Sequence, residues 1–191
     1  MNIGLDSKFY KFSNIVYNII IINFLMLLGY SSILFSGAFQ SICDYICKKN
    51  ITKEDYRLKD LFKKHFLNNF KNTVIISLIY IIILISFIIV YFQTKSEIYF
   101  VMFTYVNTFF CIFTFIIGNY YSNLKNTIKN SLSILNLHFY LIIINYGLIK
   151  LLLLLLSKNI FLFLILGIGL HKYIIANMIY LVINRVLSSL K

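Results

Sequence analysis

Five apolar runs of about 20 residues, separated by short polar connections, constrain this chain more than any other feature. A helix needs about 20 apolar residues to cross a hydrocarbon core roughly 30 Å thick. Lipid offers no partner for backbone amides, so each crossing must bond within itself as a helix. The runs fall at 14–35, 73–92, 98–118, 131–156 and 160–182. A chain of 191 residues has too little interior to hide five of them from water. The sequence therefore predicts an all-α polytopic membrane helix bundle, one domain over 1–191. Composition agrees: the chain is 13% charged, against about 25% in soluble domains.

The sizeable polar piece is Ser36 to Thr73, with 8 of the 18 basic residues and 4 of the 6 acidic ones. It opens on Ser36-Gly37-Ala38, which resembles a signal cleavage site. The apolar run before it is longer than a signal core of about 7–15 residues, so a retained span is expected. From Ala38 to Lys49 the chain is expected to leave the bilayer as a helix. Leu58, Phe62, Phe66 and Phe70 then recur every fourth residue, with Lys59, Lys63, Lys64 and Lys71 mainly on the other side. That spacing predicts an amphipathic helix over 58–72. Its Phe face suits the headgroup boundary while its Lys residues meet anionic lipid at about 1 kcal/mol each. The plainer reading is a Phe face packed on the protein's own spans, and a third is a helix docked into a partner's groove.

The net charge of +12 sits beside apolar spans, not on a recognition module. Anionic lipid is therefore the expected counter-charge, and nucleic acid is not an expected partner. With the Ser36–Thr73 segment inside, twelve basic residues lie on the inner side and four (Lys8, Lys11, Lys95, Lys158) on the outer. This positive-inside bias predicts an inner (plasma) membrane protein, its N-terminus outside and its C-terminus cytoplasmic.

Chemistry is sparse. Cys43 and Cys47, four residues apart, read as small apolar packing residues with Cys111, not as a disulfide or zinc framework. Every acidic residue falls in a predicted tail or loop, so no intramembrane carboxylate is expected. No acid–base pair, phosphate loop or metal-ligand cluster is recognisable, and no catalytic residue, metal or cofactor is predicted. Three basic or titratable residues do lie at depth. Lys150 is expected to snorkel outward. His138 in the fourth run and His171 with Lys172 in the fifth form a candidate intramembrane polar site. A Lys at the bilayer centre costs about 2.5–3.5 kcal/mol on insertion scales. Either Gly167-Ile168-Gly169-Leu170-His171-Lys172 faces an anion at a break in the helix, or the span bends and Lys172 reaches an interface or Asn and Tyr oxygens. Asn14, Asn18, Asn23, Asn107, Asn136, Asn145 and Asn177 are expected to cross-link helices.

Certain segments also resemble a known family. Asn23-Phe24-Leu25 precedes Ser36-Gly37-Ala38. Asp60-Leu61-Phe62-Lys63-Lys64-His65-Phe66-Leu67-Asn68-Asn69-Phe70-Lys71-Asn72-Thr73 follows, and then Tyr120-Tyr121 with Lys125-Asn126-Thr127-Ile128-Lys129-Asn130. This order is similar to the YesL-like family of bacterial integral membrane proteins, up to about Asn130. The chain departs from that pattern in lacking Pro before the Gly-Ala turn. The resemblance implies an accessory role in carbohydrate uptake and carries over no catalytic residue.

Two functions are thus expected. The first is a non-enzymatic accessory protein that meets a membrane transporter complex or anionic lipid through Lys59, Phe62, Lys63, Lys64, Phe66, Phe70 and Lys71. The alternative is a small transporter or channel with a polar site near His171 and Lys172.

Overall fold

The computed structural model describes residues 8–32, 35–52, 54, 56, 60, 63, 70–120 and 123–189. Among them the regular structure is helical, with no strand. In chain order the helices are α1 (Lys8–Ser31), α2 (Ser36–Thr52), α3 (Phe70–Thr94), α4 (Glu97–Asn119), α5 (Leu124–Leu137), α6 (Tyr140–Lys158) and α7. The last opens as Ile160–Leu162, widens into a π turn over Phe163–Gly167, and continues as Ile168–Ser189. Five stretches are long and apolar enough to cross a membrane: Phe12–Ser31, Thr73–Tyr91, Glu97–Asn119, Tyr140–Lys158 and Ile160–Ser188. The protein is an all-α polytopic helix bundle.

Each span's outer face fits lipid. On α3, Ile79, Ile82, Ile85 and Ile89 are exposed at helical spacing, while Thr73, Ser77 and Tyr80 are buried on the other side. The core joins Ile22 of α1, Ile42 and Ile46 of α2, Ile112 and Phe115 of α4, Leu135 of α5, Leu141 of α6, and Ile175 and Ile179 of α7.

The fourth run differs from expectation. It is not one helix from 131 to 156 but breaks at His138 and Phe139, between α5 and α6. The reason lies in α5, which is amphipathic rather than apolar. Thr127, Ser131 and Leu135 are buried at four-residue spacing, while Lys125, Lys129 and Asn130 are exposed. Asn123 caps its start, accepting from the Asn126 amide at 2.9 Å.

The larger difference is α2. The stretch is helical, as expected, and its first three turns are buried by protein. Ten of its 17 residues are buried, so α2 is packed inside the bundle rather than lying on it. Small side chains allow this, since they let backbones approach without losing contact. A Cβ on Gly118 of α4 would lie 2.5 Å from the Ser41 carbonyl oxygen, so only glycine permits that crossing. The Gly37 amide donates to Ser77 Oγ of α3 at 2.8 Å, which sets the start of α2 beside the start of α3. The far end is polar: Lys48 lies over the Tyr120 ring, 4.5 Å from its centre, and Lys49 pairs with Glu54.

Candidate intramembrane polar site

Two features of α7 fix where its polar side chains point. The π turn shifts the hydrogen-bond ladder and frees backbone groups. Asn23 of α1 takes them up: its Nδ2 donates to the Leu164 carbonyl, and its Oδ1 accepts from the Gly169 amide at 2.8 Å. Gly169 itself packs against α1, where an added Cβ would stand 2.7 Å from that of Asn23. One amide thus clamps the widened turn just ahead of His171 and Lys172.

These neighbours face different helices. Lys172 points inward and is 1% exposed. Its Nζ lies 2.8 Å from Asp44 Oδ2, and Asp44 is 0% exposed. Thr114 of α4 completes the cluster, donating from Oγ1 to the same Asp44 oxygen at 2.8 Å, with Lys172 Nζ 3.4 Å from that hydroxyl. Both bonds fall on Oδ2. Among the described residues, Asp44 Oδ1 accepts no hydrogen bond although it is buried. A buried carboxylate normally has both oxygens occupied, since an unmet acceptor costs about 1–3 kcal/mol and a charged one more. The expectation that every acidic residue falls in a tail or loop therefore fails for Asp44, which lies inside helix α2 and meets the Lys172 ammonium directly.

His171 turns to α6. Its Nε2 is 2.8 Å from Asn145 Oδ1, and Asn145 Nδ2 donates to Thr108 Oγ1 of α4 at 2.9 Å. Thr108 Oγ1 in turn donates a hydrogen bond to the Thr104 carbonyl at 2.7 Å. Because an amide oxygen only accepts, His171 carries its proton on Nε2 in this arrangement. The chain His171–Asn145–Thr108 ties α7, α6 and α4 beside the Asp44–Lys172 pair.

The remaining candidates fall elsewhere. His138 sits at the α5–α6 break with its ring edge-on to Tyr140, centroids 5.7 Å apart, and is not joined to the His171–Lys172 groups. Lys150 reaches Glu97 at the start of α4 at 2.8 Å, beside Tyr146 and over the Phe100 ring. Cys43, Cys47 and Cys111 are free and buried in the apolar core. No group of three metal-ligating side chains occurs among the described residues. Lys59, Phe62, Lys64 and Phe66 lie outside the described residues, as do the side chains of Phe70 and Lys71; Lys63 is exposed.

Asp44 and Thr114 were not among the sequence candidates. The signal for Asp44 was local: Ile42, Cys43, Ile46 and Cys47 flank it, whereas Glu54, Asp55 and Asp60 sit beside Lys53, Arg57 and Lys59.

Fold and site together define a polytopic helical membrane protein with a buried ion pair at its centre. The chain matches no family model, no curated protein and no solved structure.

Proposed function

We propose that this chain is a small multi-pass transporter of the bacterial plasma membrane, working around Asp44 and Lys172, and not an enzyme. The observation that carries this is the buried pair itself. Opposite charges inside a membrane bundle are costly, and they serve most often as substrate or ion sites. A structural tie would be met as well by apolar packing, which is often more stable than a buried ion pair. The one-sided bonding of Asp44 and the π turn ahead of Lys172 support a site that changes state. The charge count supports a threading with the Ser36–Thr73 segment and the C-terminal end of α7 in the cytoplasm and the start of α1 outside.

The test is flux. Purified protein in liposomes is given a panel of labelled sugars, amino acids and inorganic ions. Uptake of at least one, cut at least about tenfold by Lys172→Met or Asp44→Asn, is the expected result. Correctly inserted protein that moves none of them overturns the reading.

A second reading rests on the Phe62, Phe66 and Phe70 repeat and its lysines: an accessory protein of the YesL-like kind, bound to anionic lipid or to a membrane transporter complex, as in carbohydrate uptake. Recovery in mild detergent with a stoichiometric membrane partner, lost on Phe66→Asp, is its expected signature.

A further inference from the structure

Asp44 Oδ1 is the one buried carboxylate oxygen described that accepts no bond, and it stands at the junction of α2, α4 and α7. The groups within its reach are few. Lys172 of α7 and Thr114 of α4 bond the carboxylate directly, and Cys111 of α4, Tyr30 of α1 and Cys43 and Cys47 of α2 feel its charge. From α3, Ser77 Oγ meets α2 at its start, on the Gly37 amide, seven residues before Asp44. His171 is turned away to Asn145. Lys172 is thus the single cation that faces Asp44 among the described residues, and it bonds Oδ2 alone.

We propose that the site's coupling ligand is a proton, taken up on Asp44 Oδ1. This rests on the reading of the Asp44–Lys172 pair as a working centre, and names the ion that loads it. The step balances simply. A hydronium ion gives its proton to Oδ1, an O–H bond forms there, and water leaves. Oδ2 becomes the carbonyl oxygen of a neutral acid and still accepts from Thr114. The cluster passes from net zero to a lone buried ammonium. An ammonium in an apolar interior without a counter-charge is strongly disfavoured, so Lys172 is driven from α2 toward water. The π turn gives α7 a place to bend beyond it without unfolding the span, while the Asn23 clamp holds the turn itself on α1. Losing the proton restores the pair. A metal cation fits less well, because the ammonium already holds the position next to Oδ2.

Infrared titration of purified protein in lipid nanodiscs tests this without any need to know the solute. Ordinary surface carboxylates protonate near about pH 4. A carboxylic-acid C=O band that grows above about pH 5 and is lost in Asp44→Asn is the expected result. The double variant Asp44→Asn/Lys172→Met, which buries no charge, checks that the band's loss is not unfolding. An Asp44 band appearing only with the surface carboxylates overturns the proposal, and so does a band that persists in Asp44→Asn. The two readings fail separately: the band without flux keeps the proton site and removes transport, whereas flux without the band does the reverse.

Discussion

Removing either member of the Asp44–Lys172 pair strands the other charge in the bundle, and that asymmetry sets the size of the effect. Asp44→Leu or Lys172→Met alone is expected to cost about 3–5 kcal/mol of folding free energy. The double replacement is expected to be close to neutral or even stabilising, because apolar packing replaces a pair whose desolvation nearly cancels its attraction. Denaturant unfolding of the four proteins in one detergent, read by the loss of helical circular dichroism, gives the coupling. Additive single effects would mean that the two residues do not act as partners. The exposed Glu97–Lys150 pair is a built-in contrast: Lys150→Met should move stability far less than either single replacement in the buried pair. Lys172 was legible in the sequence as an expensive residue in need of company. Its company was not. Asp44 shares its segment with three other acids and eight bases, and nothing in their count singles out the one that turns inward.

At the scale of the element, glycine positions decide how closely helices cross. Gly118→Val places a side chain against the Ser41 carbonyl of α2, backbone that has little room to move. A cost of about 1–3 kcal/mol is expected, outweighing any gain in helix propensity. Gly147→Ala on α6 is the matched control. An added methyl there meets nothing within 4 Å, so the change should be neutral or stabilising by up to about 1 kcal/mol. Melting temperatures of both variants in the same detergent check the contrast, and equal losses would remove the crossing argument. The five spans were readable because about 20 apolar residues in a row have one stable outcome in lipid. The helix α2 was readable as a helix but not as a buried one, since it is apolar only by halves: Gln40, Ser41 and Asp44 sit among Ile42, Cys43 and Ile46. Helices of that kind are placed by what they pack on. The break at His138 was hidden for the opposite reason, a continuous uncharged run from Asn130 masking a change from amphipathic to apolar character.

For the whole molecule, threading is the property on which every functional reading depends. Single cysteines placed at Lys64, Lys95 and Lys158 report it, because Cys43, Cys47 and Cys111 are buried and react poorly. A membrane-impermeant maleimide applied to intact cells should label Lys95→Cys and Lys158→Cys and leave Lys64→Cys untouched until the cells are opened. Labelling of Lys64→Cys in intact cells would invert the topology. The inward placement of α2 also bears on how the protein is made. A ribosome delivers Asp44 long before Lys172, 128 positions downstream, has been synthesised. Until then Asp44 lacks its counter-charge, although α1 and α4, on which α2 also packs, are already made. Biogenesis is therefore expected to finish with a tuck, the last rod drawing the second one in behind it. A nonsense codon anywhere before Ile160 should leave residues 36–52 outside the bundle, open to proteases that the completed protein resists.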